Sequence, residues 1–237
     1  MQSAANDIIR TLTHLKLTSK HDSRVVGVIG HSFGGRVALQ YVKTTLHSQE
    51  SSIVTNNQKN GDEGILTPEV MWLLDTYPDV AHSSVANVIG AISRVRLPIQ
   101  NKDDLVSFLT QENNISPAIA AWMATNLVRV DGGFHFKFDL PVILNLFEDY
   151  KNQDFFGTLN DINRISASIN QKACQVHLVQ AGKNDSWDNA VVQDKLTESE
   201  RLGVLKLHCL PNAGHWVHVD DLDGLMDLIE PTFSEYK

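Results

Sequence analysis

The pentapeptide from Gly30 to Gly34 has the form Gly-x-Ser-x-Gly and contains Ser32. An apolar, β-branched run ends directly before it, and a helical pattern of apolar residues begins directly after it. A serine on such a strand-to-helix corner, the nucleophile elbow, holds its hydroxyl above the carboxyl edge of a parallel sheet. We expect side chains at Gly30 and Gly34 to collide where the strand and the helix cross. The motif predicts that Ser32 is a nucleophile.

A serine hydroxyl needs a base to take its proton, and a carboxylate must orient that base. His215 follows the last predicted strand, which places it at the same sheet edge as Ser32. His218 lies three residues further along and is the alternative base. We favour His215 because it follows Gly214 directly after a strand end.

Two aspartates are candidates for the carboxylate. Asp185 follows the penultimate strand in a Gly-x-x-Asp turn, which is the usual position in this architecture. Asp75 follows the strand next to the elbow and could also reach the imidazole across the strand ends. Either one could instead form an Asx turn or a helix cap at a strand exit. The residues alone leave both open.

The elements that position these residues follow an α/β pattern. Apolar runs predict strands, and apolar positions at helical spacing predict helices before and after the elbow and at the end of the chain. The strands are predicted at 25–29, 70–74, 176–180 and 205–210. Their alternation with helices predicts a mostly parallel sheet with helices on its faces. The polar stretch between Leu46 and Leu66 is predicted to be a surface loop.

Residues 80–171 are predicted to form a helical lid between two parts of the core, 1–79 and 172–237. Ser116-Pro117 is a typical helix start, and Asp139 is predicted to cap another helix. The aromatic side chains of 134–138 either line an acyl pocket or pack the lid onto the core. Packing is the commoner role of buried aromatic residues, and we favour it for any single one.

Composition excludes several classes of function. A net charge of -8 without a basic cluster argues against binding to nucleic acid or to an anionic membrane surface. No apolar run is long enough to span a bilayer, and the histidine spacing predicts no metal site. Cys174 and Cys209 are predicted to be buried thiols in a reducing compartment. The sequence therefore predicts a soluble, cytoplasmic protein.

Four motifs together resemble the α/β-hydrolase superfamily of the AB hydrolase-1 type. They are the elbow at 30–35, the strand end at 73–78, the segment 134–140 and the terminal motif Asn-Ala-Gly-His-Trp-Val-His at 212–218. The terminal motif is the most specific of the four. Within the superfamily the chain is most similar to the branch that contains abhydrolase-domain protein eleven and the small bacterial acyl esterases.

The resemblance implies a serine esterase or thioesterase that acts on small acyl substrates through an acyl-enzyme and needs no cofactor. It implies that Ser32 is the nucleophile, that His215 is the base and that the backbone N–H of Phe33 donates to the oxyanion. In the bacterial relatives the acid corresponds to Asp75, whereas Asp185 keeps the position of the commoner superfamily acid. We lean to Asp75.

The chain also departs from the family pattern. Family members have four strands before the elbow strand and a His-Gly type loop that donates a second N–H to the oxyanion. Here one predicted helix precedes the elbow, so we expect the C-terminal half of the usual sheet and an exposed apolar edge at 25–29. We therefore expect that Met1 is not the native start and that an organelle-targeting peptide could lie upstream. The alternative function is a catalytically impaired binding or scaffold protein.

Overall fold

The computed structural model describes residues 1–15, 25–54, 67–78, 83–169 and 174–234. The strands are, in chain order, β1 (Gly27–His31), β2 (Val70–Leu74), β3 (Leu127–Val130), β4 (Gly133–Phe136), β5 (Gln175–Ala181) and β6 (Lys206–Leu210). The helices are α1 (Gln2–His14), α2 (Phe33–Val54), α3 (Ser83–Ile92), α4 (Lys102–Ser107), α5 (Pro117–Thr125), α6 (Leu140–Asn152), α7 (Phe155–Ser168), α8 (Ala190–Arg201), α9 (Val217–Asp220) and α10 (Leu222–Phe233). A π-helical turn at Phe108–Glu112 and a 3-10 helix at Asp185–Asp188 complete these elements.

A parallel sheet of order β1-β2-β5-β6 lies at the centre of the larger unit, which comprises Met1–Asp79 and Gln153–Lys237. Helices cover both faces of this sheet, so the predicted α/β class is confirmed. Among the described strands, β1 pairs only with β2 and forms an edge. The side chain of Ile29 is 51% exposed there, in agreement with the exposed apolar edge expected from the sequence.

One face of the sheet is covered by α1, α2 and α7. Phe155, Leu159 and Ile162 of α7 are buried in the same apolar cluster as Leu39 and Val42 of α2. This packing joins α7 to the larger unit. The smaller unit therefore ends at Asn152, whereas the sequence predicted that the lid extends to residue 171.

The smaller unit, Val80–Asn152, has its own apolar core, which includes Leu105, Leu109 and Met123. It contains the antiparallel hairpin β3–β4, although the sequence predicted only helices here. The prediction missed the hairpin because β3 and β4 are each four residues long and bury few side chains. The aromatic segment packs on this core: Phe136 is buried and Phe138 stacks on it.

The predicted helix caps are confirmed in this unit. The Ser116 side chain accepts a hydrogen bond from the Ile119 N–H at 3.4 Å, and Asp139 accepts one from the Val142 N–H at 3.1 Å. Each cap satisfies an N–H group that has no acceptor within its helix.

Two other predictions need correction. The first part of the predicted loop, up to Val54, is helical and continues α2, and the Ser48 and Ser52 hydroxyls donate to carbonyls one turn back in this helix. Positions 55–66 of that loop lie outside the described residues. Cys174 is buried as predicted, but Cys209 is exposed because β6 lies at an edge of the described sheet.

Two histidines lie beside a buried tryptophan on the sheet face covered by α10. The Trp72 ring stacks on His177 with a centroid distance of 4.1 Å, and Nδ1 of His177 lies 3.0 Å from Nε2 of His208. His177 is buried. Burial, with the nearby charges of His208 and Lys206, lowers the pKa of His177 to about 4. The folded protein therefore keeps His177 neutral.

We expect His177 to make the protein less stable in acid. Its pKa is lower in the folded than in the unfolded chain, so between about pH 6.5 and 4 the unfolded state binds the additional proton. Protonation of His177 should lower the free energy of unfolding by at most about 3 kcal/mol as the pH falls through that window. Denaturant unfolding of His177→Gln should show a smaller loss than the wild type, whereas the exposed-site variant His14→Gln should match the wild type. An equal loss in His177→Gln would contradict the prediction.

Candidate active site

Ser32 lies on a sharp corner between β1 and α2. Its φ of 53° is positive, which is uncommon for a residue with a side chain. Its backbone N–H donates a hydrogen bond of 2.8 Å to the carbonyl of Leu74, and its carbonyl accepts one of 3.1 Å from Gly35. Such a conformation costs of order 1–3 kcal/mol and persists only where its surroundings hold it. The corner has the geometry of a nucleophile elbow.

The glycines of the motif differ in their surroundings. A Cβ at Gly30 would lie 2.5 Å from the carbonyl oxygen of Gly34, so the predicted close crossing is confirmed there. The same prediction is wrong for Gly34, where a Cβ would meet nothing within 4 Å. Gly35 is the second constrained glycine, because its Cβ would overlap the side chain of Thr76.

We expect Gly30→Ala to destabilise the protein strongly. The added methyl group meets backbone atoms of the elbow, which cannot move without shifting the strand or the helix. The free energy of unfolding should fall by roughly 3 kcal/mol. Gly34→Ala is the matched control and should change it by less than about 1 kcal/mol, since its Cβ enters open space. Equal unfolding midpoints for the two variants in denaturant would contradict the prediction.

Asp75 follows β2 and is almost completely buried, with 1% of its surface exposed. Its φ of 44° is also positive, so a second strand of the sheet ends in an uncommon conformation at this edge. Four donors surround its carboxylate, and together they bond to both oxygens: the Ala181 N–H at 2.9 Å, Trp187 Nε1 at 2.6 Å, Asn184 Nδ2 at 2.7 Å and His215 Nδ1 at 2.7 Å.

These hydrogen bonds decide the charge of Asp75. Burial by itself would raise its pKa, but the bonds from His215, from the Ala181 backbone and from the Trp187 and Asn184 side chains together outweigh burial. The pKa of Asp75 is therefore lower than its ordinary value. A carboxylate that stays ionised next to an imidazole stabilises the imidazolium form.

His215 lies in the loop between β6 and α9, and its side chain is 43% exposed. Because an ionised carboxylate only accepts hydrogen bonds, Nδ1 of His215 donates to Asp75 Oδ2. In the neutral ring Nε2 is then the nitrogen that accepts a proton. The ring thus has the tautomer of a general base.

Sheet register brings the three predicted residues to one edge. His31 is paired with Leu74, so Ser32 and Asp75 directly follow neighbouring positions of two adjacent parallel strands. Asp75 in turn contacts His215. No hydrogen bond among the described residues joins Ser32 Oγ to His215. Catalytic hydrogen bonds are often long in ligand-free structures and shorten when substrate binds.

The structure does not bring Asp185 to His215. Asp185 is exposed and begins the 3-10 helix after β5, and no hydrogen bond or ion pair within the described residues joins it to His215. Its neighbours Asn184 and Trp187 instead donate hydrogen bonds to Asp75. Sequence reasoning missed both of these donors. The sequence did contain a signal for these donors: Asn184 and Trp187 both have side-chain N–H groups and follow the end of a predicted strand, at the sheet edge where the carboxylate was expected.

His218 and Phe33 were the other residues singled out from the sequence. His218 is exposed, its ring lies 5.0 Å from that of His31, and no bond within the described residues joins it to a carboxylate. Phe33 is the first residue of α2 and directly follows Ser32. At a nucleophile elbow this is the position whose backbone N–H donates to the oxyanion.

The described part of the chain contains no group of three or more His, Cys, Asp or Glu side chains arranged to hold a metal ion. It also contains no helix that is both long and apolar enough to cross a membrane.

Comparison with known families identifies the fold. The model of the alpha/beta hydrolase family matches residues 3–228. The chain belongs to this family. No curated protein matches the sequence of this alpha/beta hydrolase.

Three solved structures share the fold of this alpha/beta hydrolase. An esterase from a marine microorganism is 15% identical with a TM-score of 0.58, and the match covers 96% of this chain and 75% of that chain. An esterase of M. tuberculosis is 15% identical with a TM-score of 0.52, and the match covers 98% of this chain and 69% of that chain. A hypothetical protein of Pseudomonas aeruginosa PAO1 is 18% identical with a TM-score of 0.51, and the match covers 98% of this chain and 72% of that chain. The family supports hydrolase activity, and the three solved structures show the same fold.

Proposed function

We propose that this alpha/beta hydrolase is a serine hydrolase that cleaves a carboxylic ester or thioester of a small acyl substrate. The observation that carries the proposal is the 2.7 Å hydrogen bond between His215 Nδ1 and the buried carboxylate of Asp75, beside the elbow that holds Ser32. A nucleophile, a base and a carboxylate that orients the base are the groups that acyl transfer to serine requires.

In the first half of the reaction, Ser32 Oγ attacks the acyl carbonyl and its proton passes to His215 Nε2. The carbonyl oxygen becomes an oxyanion, to which the backbone N–H of Phe33 donates a hydrogen bond. When the tetrahedral intermediate collapses, the bond from the carbonyl carbon to the leaving oxygen or sulfur breaks. His215 returns the proton to that leaving group, and an acyl-Ser32 ester remains.

In the second half, water replaces the leaving group. His215 takes a proton from the water while the water oxygen attacks the acyl-Ser32 carbonyl. Collapse of the second intermediate releases the carboxylic acid and returns the proton to Ser32 Oγ. Asp75 stays ionised throughout and stabilises the imidazolium that forms twice in each cycle. In this proposal the unit Val80–Asn152 serves as the lid.

Labelling with a fluorophosphonate probe tests the proposal, because the probe forms a covalent bond with an activated serine. The full chain should be labelled, and mass spectrometry should locate the label on Ser32. Ser32→Ala should abolish labelling, whereas Ser107→Ala, at an exposed serine, should label at the wild-type rate.

A wild-type chain that folds but is not labelled would contradict the proposal. If small acyl ligands then raised its melting temperature, a non-catalytic binding protein would be supported instead.

A further inference from the structure

His31 is the last residue of β1 and directly precedes Ser32. Its Nε2 lies 2.7 Å from the backbone carbonyl oxygen of His215. A carbonyl oxygen only accepts hydrogen bonds, so His31 must carry a proton on Nε2 and donate it. The strand that ends in the nucleophile is therefore bonded to the backbone of the residue that carries the base.

The ring of His31 also supports the loop that contains His215. Its centroid lies 4.7 Å from the ring of His215, 5.1 Å from that of Trp216 and 5.0 Å from that of His218. Burial, together with the charges of His215 and His218, lowers the pKa of His31, although its hydrogen bond to the His215 carbonyl acts in the opposite direction. A neutral ring with its proton on Nε2 satisfies the carbonyl without placing a positive charge beside His215.

His215 is thus held at two points by two adjacent strands. Asp75, directly after β2, holds its side chain through Nδ1, and His31, at the end of β1, holds its backbone through the carbonyl oxygen. The Asp75 bond alone sets the distance from the ring to β2 but leaves the backbone of the loop to be fixed by other contacts. The His31 bond fixes the position of that backbone relative to the residue next to Ser32.

We propose that His31 is a positioning residue, which sets the distance between the His215 loop and the elbow through its Nε2–H bond to the His215 carbonyl. This inference rests on the proposed function. Small misplacement of a catalytic group is costly, because proton transfer in the transition state needs reacting atoms at hydrogen-bond distance. The role requires a hydrogen-bond donor at this point, and an aromatic ring alone does not supply it.

Two substitutions separate the donor from the ring. His31→Phe keeps a ring but removes the donor, and should lower kcat for short-chain p-nitrophenyl esters about tenfold, the value of one hydrogen bond. KM should stay within about twofold, because no substrate contact is removed. In His31→Gln the amide nitrogen replaces Nε2 as donor and should restore most of kcat. His14→Phe, at an exposed position on α1, is the control and should match the wild type.

A second measurement is independent of catalysis. In the proton NMR spectrum, the His215 Nδ1–H that donates to Asp75 should give a deshielded resonance, assigned by its loss in His215→Gln. We expect His31→Phe to broaden this resonance through faster exchange with water, and His31→Gln to preserve it.

Unchanged kcat and an unchanged resonance in His31→Phe would overturn the inference. Equal losses in His31→Phe and His31→Gln, with equally lowered melting temperatures, would also overturn it, because they would indicate a purely structural role. If the wild type is not labelled by fluorophosphonate while the resonance behaves as expected, the proposed function fails and the positioning contact is supported.

Discussion

His215→Gln is expected to lower the turnover of a short-chain p-nitrophenyl ester by roughly a million-fold. Glutamine cannot accept a proton at neutral pH, so Ser32 would lose its base and the leaving group would lose its acid. The residual rate should be that provided by substrate binding and oxyanion stabilisation alone. His215 is the histidine expected to show this effect because its Nδ1 is bonded to the buried carboxylate of Asp75.

His218→Gln is the matched control, since it makes the same change three residues further along. It should change turnover by no more than a few-fold, because no described bond joins His218 to a carboxylate. Melting temperatures of both variants would show that each one folds. A larger loss of turnover in His218→Gln than in His215→Gln would refute the assignment of the base.

Asp75→Asn is expected to lower turnover about ten thousandfold. The amide nitrogen of the new side chain is a donor, and it would lie where the Asp75 carboxylate accepts the hydrogen bond from His215 Nδ1. The His215 ring would then have its proton on the nitrogen that must stay available as base. The other three donors to Asp75, which are the Ala181 N–H and the side chains of Asn184 and Trp187, would also lose a charged acceptor.

Asp185→Asn makes the same chemical change at the alternative position. Asp185 is exposed and no described hydrogen bond or ion pair joins it to His215, so we expect turnover within about threefold of the wild type. Single-turnover and steady-state kinetics with one ester, together with unfolding curves, would separate loss of catalysis from loss of folding. A large loss confined to Asp185→Asn would identify Asp185 as the acid and contradict the assignment of Asp75.

Local sequence patterns were sufficient for the elbow and for the class of fold. The strand, corner and helix around Ser32 are contiguous in the chain, so apolar periodicity and two glycines predicted them. The caps at Ser116 and Asp139 are equally local, and both were predicted correctly. The α/β class followed because a parallel sheet needs buried strands that alternate with helices.

Predictions that depended on pairing or packing between distant segments were less accurate. The packing of α7 on α2 is not visible in the sequence, and the lid was therefore predicted to extend to residue 171. The hairpin β3–β4 is a local pairing, and it was missed for a different reason: its strands are short and few of their side chains are buried. A packing constraint was also assigned to Gly34, when Gly35 is the glycine that lies against Thr76.

The sequence by itself determined a serine on a strand-to-helix corner and a histidine after the last strand, because both depend on local order along the chain. Only the tertiary structure decided which carboxylate meets that histidine. The choice depends on strand order: β2 lies between β1 and β5, so Asp75 emerges beside the elbow while the turn after β5 supplies donors to it. A carboxylate that is 106 residues distant from Ala181 in the chain accepts its N–H. Local sequence patterns cannot predict a contact between residues so far apart in the chain.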